Sequence, residues 1–220
     1  MCGRYATSRS SVDLSQLFSA FDETEESLAP DYNLAPTDPA PIVRISSAER
    51  RVLSVARWGL VPSWADSPRV GARMINARAE TVATARAFAP SFAGRRCLVP
   101  ADGWFEWVEK KPFYMTLPDG FAFAGLWTGG KYGLSCSIIT TPAVGELTRV
   151  HHRMPLLLEP DRWEEWLSAP ADPTLLRLTD PGFVSTIEIR SVGPAVGNVR
   201  NDGPELIAAV EPKVELETLF

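Results

Sequence analysis

Cys2 carries the most distinctive chemistry in the chain, which begins Met1-Cys2-Gly3-Arg4-Tyr5. Once Met1 is removed, Cys2 presents a free α-amine and a thiol on adjacent carbons. The amine has an ordinary pKa of about 7.7–8.0 and the thiol about 8.5, so both hold a reactive fraction near neutral pH. An amine condenses with an aldehyde to give a Schiff base. The neighbouring thiol can then close a five-membered thiazolidine ring. An internal cysteine cannot do this, because its nitrogen is already an amide. A cysteine at position 2 can also be incidental, so the groups that accompany it must decide.

Four segments set polar residues among aromatics and prolines in a way that packing alone does not require. They are Trp58–Trp64, Asn76–Thr81, Arg95–Trp107 and His151–Pro155. Glu106 lies between Phe105 and Trp107 on a strand-like run. A buried carboxylate there has either a partner or a raised pKa, and a raised pKa suits a general acid. The alternative is a Glu facing solvent on an alternating strand. His151 and His152 are the only 2 histidines. Adjacent residues on a strand face opposite sides, so one of the two is expected to reach a given site, and a metal pair is disfavoured. Arg78 and Arg153 read as phosphate clamps or surface charges. Trp64 and Trp107 read as stacking platforms for bases or as core.

The elements that must position these groups are short. The chain has 220 residues with 19 Pro and 15 Gly, and no βαβ alternation or internal repeat. Ser10 or Ser11 caps a helix with Leu14, Leu17, Phe18 and Phe21 on one face. Residues 27–41 read as a proline-punctuated loop. Strand-like runs follow at 40–46, 51–58, 96–100, 104–108, 112–117, 121–127, 134–140, 154–158 and 183–190, with helices at 79–88 and 160–168. The pattern predicts an α+β fold: a single domain on a curved, mostly antiparallel, barrel-like β-sheet with peripheral helices. The domain is expected over 1–210, with a C-terminal tail at 211–220.

Composition narrows the classes. Hydrophobic residues make up 45% and charged residues 22%, as in ordinary soluble domains. No apolar run approaches a membrane span of about 20 residues, and the polar start argues against a secretory signal. The 3 cysteines include no C-x-x-C pair, which disfavours a disulfide framework or a zinc site. Cys97 and Cys136 sit in apolar runs and read as buried small hydrophobes in a reducing compartment. Net charge is −5. Even so, residues 44–96 hold ten Arg against Glu49, Asp66 and Glu80, a local charge of +7. Acids gather at 22–26 and 205–217. Arginine supplies planar forks that fit phosphate oxygens, so this stretch is expected to fold so that Arg78, with Arg4 and Arg153 from elsewhere, lines one groove beside Cys2, remote from the acids.

Taken in order, the motifs resemble one family. They are Met-Cys-Gly-Arg at the start, Tyr-Asn-x-Ala-Pro at 32–36, Trp-Gly-Leu-x-Pro-x-Trp at 58–64 and Asn-Ala-Arg-x-Glu-Thr at 76–81. Arg-Cys-Leu-x-Pro-x-x-Gly-Trp-x-Glu-Trp at 96–107 and His-x-Arg-Met-Pro at 151–155 follow, with 123–127 and 138–143 also fitting. The set is similar to the SOS-response-associated peptidase family, whose members act as abasic-site processing proteins. The resemblance implies that Met1 is self-removed and that Cys2 captures the ring-opened aldehyde of an abasic site in single-stranded DNA as a thiazolidine cross-link. It also implies an associated β-elimination lyase activity. By the same resemblance Asn76 positions the N-terminus, Glu106 moves protons, and His151 assists sugar opening and strand scission. Arg4, Arg78, Arg153 and Thr140 contact the DNA backbone, and Trp64 and Trp107 stack on bases. No metal or cofactor is implied. A cytoplasmic monomer whose partner is single-stranded DNA is expected. Two other readings stay open: an N-terminal-nucleophile glutamine amidotransferase, which also begins Met-Cys-Gly, and a noncatalytic single-strand binding module.

Overall fold

The computed structural model describes residues 2–25 and 28–210. The expected tail from 211 and the last acid of the 22–26 run lie outside the described residues. The strands are β1 (Tyr5–Thr7), β2 (Phe21–Asp22), β3 (Asp31–Leu34), β4 (Pro39–Ile45), β5 (Arg51–Trp58), β6 (Asn76–Arg78), β7 (Arg96–Val108), β8 (Lys111–Thr128), β9 (Ser135–Pro142), β10 (Arg153–Pro155), β11 (Leu157–Leu158) and β12 (Glu188–Ser191). The helices are α1 (Ser11–Phe18), α2 (Ala89–Gly94), α3 (Trp163–Ser168) and α4 (Pro181–Ser185).

All twelve strands join one sheet. The pairings β8–β9–β5–β4–β7 return to β8, so five strands close on themselves. Most pairs are antiparallel; β2–β5, β5–β9 and β6–β9 are parallel. The strands of the ring are buried on both faces. One face gathers Ile42, Trp58, Val99, Trp104, Phe123, Cys136 and Ile138. The other gathers Val43, Leu98, Ala124, Leu126 and Ile139 with Leu14 and Phe18 of α1, Phe92 of α2 and Trp163 and Trp166 of α3. Helices α1, α2 and α3 therefore cover the outside, and the first set fills the ring. Double-sided burial explains why these strands read as nearly continuous apolar runs. Cys97 and Cys136 are both buried inside it.

Several local expectations change. The four runs within 96–127 are two long strands, with a register shift between Ala101 and Gly103. The 27–41 loop contains β3 and the start of β4. Residues 79–88 form successive turns, not a helix. Of their side chains only Val82 is buried, so no apolar stripe supports helical packing. Residues 181–185 are helical, because the Asp180 side chain accepts from the Phe183 N–H and Pro181 occupies the first turn. Helix α1 stops at Phe18, where Ser19 takes a left-handed φ of 49°. Phe21 therefore leaves the helical face and lies exposed on β2, with the Arg50 guanidinium 4.9 Å over its ring.

One excursion matters for function. Residues 59–75 leave the end of β5 and return as β6. The Trp58 Nε1–H donates to the Ile75 carbonyl at 3.0 Å and Leu60 N–H to Met74 O at 3.1 Å, closing the excursion at its base. Gly59 adopts φ +128°, and a Cβ there would meet the Gly71 carbonyl oxygen at 2.5 Å. Gly59→Ala is expected to lower unfolding free energy by about 1–3 kcal/mol through backbone strain and overpacking. Urea unfolding checks this, and an unchanged midpoint would refute the tight closure.

Candidate active site

Strand β1 ties the N-terminus into the sheet beside the five-strand ring. It pairs antiparallel with β7, Tyr5 opposite Trp104 and Ala6 opposite Gly103, and with β3 on its other side. The Phe105 N–H donates to the Arg4 carbonyl at 2.9 Å, so Glu106 is the next residue along β7 as the chain runs back toward Cys2. Cys2 is 0% exposed. Its carbonyl accepts from Asn76 Nδ2 at 2.8 Å. Strand β6 carries Asn76 and runs parallel to β9, with Asn76 opposite Ile138 and Arg78 opposite Thr140. On the far side of β9, β10 sets Arg153 opposite Pro142 and Pro155 opposite Thr140, which brings the His151-His152 segment to the same end of the sheet.

Burial controls the protonation of the central groups. Glu106 is 5% exposed, and that burial raises its carboxyl above the ordinary range, opposed first by the positive charge of the N-terminal amine and then by that of His152. Burial pushes the Cys2 thiol well up, and the Glu106 charge adds to it. Both groups are therefore biased toward their protonated forms, and each lies within the other's field.

The histidines depart from the expected arrangement. They precede β10 in a bend, not on a strand, so strand alternation does not separate them. Their rings lie face to face, with centroids 4.3 Å apart and planes at 31°. His151 is half-buried, and its Nδ1 lies against the Arg153 backbone, 2.9 Å from the N–H and 3.1 Å from the carbonyl oxygen. Burial lowers its pKa. His152 is exposed, and the charge of His151 is the main cause of its lowered pKa. The charge of His152 reaches Glu106 and lowers its pKa slightly.

The arginines divide into engaged and available. Arg153 forms a two-pronged pair with Glu80, its Nη2 donating to Glu80 Oε2 at 3.0 Å, and also donates to the Thr140 carbonyl at 2.6 Å and Oγ1 at 3.2 Å. Arg4 donates to Asn33 Oδ1 at 2.7 Å and the Val196 carbonyl at 2.9 Å, and lies 5.9 Å over the half-buried Trp107 ring. Arg78 is exposed and makes no side-chain hydrogen bond or ion pair among the described residues. Trp64 is exposed with Arg86 stacked 5.1 Å over it, and no contact joins it to Cys2. The expected single basic groove is smaller than the sequence suggested. Arg44 and Arg51 pair with Glu23 and Glu164, and buried Arg96 donates to the carbonyls of Phe92, Trp166 and Ala169. These three serve the fold. Cys2, Asn76, Glu106, His151, Arg78, Thr140 and Arg153 come together, joined by His152 and Glu80, which sequence reasoning left unassigned. Glu80 stood inside a recognised motif, but its partner is 73 positions away. Concavity does not mark the site: a cleft of about 510 Å³ lined by Thr7, Arg9, Pro39 and Val55 includes none of these residues.

The whole is a closed five-strand ring with Cys2 buried beside Asn76 and Glu106. The SOS response associated peptidase (SRAP) profile matches residues 1–199, and the chain belongs to that family. It is 34% identical to the abasic site processing protein YoqW of Bacillus subtilis (strain 168), over 94% of this chain and 99% of that protein. It is 32% identical to the abasic site processing protein YedK of Escherichia coli (strain K12), over 96% and 100%. With the abasic site processing protein HMCES of Xenopus tropicalis the identity is 29%, over 86% of this chain and 69% of that protein. The fold matches a crystal structure of a Bacteroides thetaiotaomicron protein with TM-score 0.81 and 24% identity, over 96% of this chain and all of that one.

The histidine pair yields a direct check. Both imidazoles are expected to titrate below the ordinary value of 6.5. His151→Ala should move the His152 midpoint upward, because the repelling charge is gone. NMR titration of the ring resonances reads this, and an unmoved His152 midpoint would contradict the stacked geometry.

Proposed function

We propose that this protein captures the ring-opened aldehyde of abasic sites in single-stranded DNA through Cys2, acting as a monomer. The observation that carries the reading is the lodging of Cys2: Asn76 Nδ2 holds its carbonyl at 2.8 Å while the buried Glu106 carboxyl shares its surroundings. The names of the relatives support the same substrate class.

The chemistry begins with loss of Met1, which the protein performs on itself. The freed Cys2 amine, neutral, attacks the aldehyde carbon and forms a carbinolamine. Loss of water needs a proton on the departing hydroxyl. Glu106, whose burial keeps it protonated above the ordinary carboxylate range, supplies that proton. The resulting iminium carbon accepts the Cys2 sulfur, and the thiol proton leaves to the Glu106 carboxylate. One aldehyde and one aminothiol thus give one thiazolidine and one water, and Glu106 returns to its starting state. Burial keeps the thiol neutral until the electrophile forms, which favours attack by the amine first. His151, its Nδ1 side held against the Arg153 backbone, turns Nε2 to the sugar: with Nδ1 donating to the Arg153 carbonyl, the Nε2 lone pair takes the proton that β-elimination removes. Exposed Arg78 contacts a phosphate, and Trp107 offers a stacking face. A lesion without a base offers nothing for base readout, so backbone and stacking contacts must supply affinity.

Cys2→Ser is expected to leave a borohydride-reducible Schiff base but no heat-stable adduct, because a hydroxyl closes a less stable ring. Denaturing gels of heated reactions with an abasic oligonucleotide test this. Equal heat-stable adduct from the variant would exclude the thiazolidine.

Glu106→Gln should slow cross-linking by about 10²–10⁴-fold, the usual worth of general acid–base catalysis. The wild-type rate should rise with pH as the amine deprotonates and fall as Glu106 loses its proton. The variant should lose the falling limb and keep the rising one. Single-turnover rates across pH read both limbs, and an unchanged profile would assign the proton transfer elsewhere.

A further inference from the structure

Two arginines flank Glu80, and only one is free. Arg78 makes no ion pair among the described residues. Arg153 is held through both terminal nitrogens by the Glu80 carboxylate. A carboxylate bound through both oxygens across a guanidinium has the same two-point geometry as a phosphate diester. The side chains differ sharply in exposure: 10% for Arg153 and 46% for Glu80. Glu80 sits on the run of turns that replaced the expected helix, without a packed helical face to fix it. Arg153 has other anchors. Thr140, itself 0% exposed, receives its Nη2 through both the carbonyl at 2.6 Å and Oγ1 at 3.2 Å. The guanidinium would therefore stay in place if the carboxylate left.

We infer that Glu80 is a built-in stand-in for phosphate: its carboxylate covers Arg153 in the free protein and is exchanged for a backbone phosphate when a single strand binds. This rests on the DNA-binding reading above and assigns Glu80 a role in setting its strength. Arg78 meets the strand first. The incoming phosphate repels the exposed carboxylate, and Arg153, steadied by Thr140, takes the phosphate in its place. Affinity for undamaged strands is held down, because each encounter must displace an internal anion. The same carboxylate keeps a half-buried guanidinium satisfied between encounters.

Salt titrations of an undamaged oligothymidylate test the inference with the full chain. Glu80→Gln should bind about two- to fivefold more tightly than wild type, the usual range for an exposed ion pair. Its log–log salt slope should match that of wild type, since the same phosphates are neutralised at the end. In an Arg153→Ala background the gain from Glu80→Gln should vanish. Thermal melts of each variant establish folding. Weaker binding by Glu80→Gln would make Glu80 a support for Arg153 and overturn the exchange. A gain that persists without Arg153 would reduce Glu80 to a general field effect and overturn it equally. If wild type binds with a steep salt dependence and Glu80→Gln merely equals it, the exchange fails while the DNA reading stands. If no variant binds at any salt concentration, both fall.

Discussion

The pinning of the chain terminus is the constraint on which everything else depends. Terminal residues usually fray, yet Cys2 is fully buried here. Strand β1 resolves the conflict by pairing on both sides, with β7 and with β3. Asn76 adds a bond to the Cys2 carbonyl itself. The closed path of five strands supplies a rigid wall, and Tyr5, packed edge-on to Trp58 at 5.1 Å and Phe123 at 5.7 Å, anchors the strand in the ring's interior. Removing water from Cys2 follows directly from this anchoring.

Burial then sets the protonation chemistry and its cost. Excluding water raises both the thiol and the Glu106 carboxyl. A carboxyl whose folded pKa is raised contributes stability below its unfolded pKa and loses it as pH rises through the folded value. The histidines follow the same logic. Adjacent rings repel each other once both are charged, so the pair resists double protonation.

Charge is distributed by a different rule from the one its sequence clustering suggests. Arg96 is used where a buried planar fork can satisfy three carbonyls at once. Arg4 braces Trp107 through Asn33 and Val196. Arg86 lies over Trp64, and Arg44 over Trp127 at 4.9 Å. Arginine in this protein is as much a structural residue as an anion receptor, and a net local charge of one sign does not make a surface.

What the sequence determined by itself was the ordered set of family motifs and the class of fold. A cysteine at position 2 is a covalent fact, independent of folding. Leu14, Phe18, Trp163 and Trp166 were legible as core because helical periodicity and burial coincide. The mostly antiparallel sheet was legible because short apolar runs alternated with turn residues. Tertiary structure alone decided which polar groups meet. The turns at 79–88 looked helical because propensity is local, while helical stability at that length depends on a packed face. His151 and His152 share one side because a bend, not a strand, carries them. Glu80 became a partner of Arg153, and Arg96 a ligand of backbone carbonyls, through contacts that bring together residues 73 and 70 positions apart in the chain. Ion pairs and hydrogen bonds act over a few ångströms, and sequence distance carries no information at that scale once a sheet has folded back on itself.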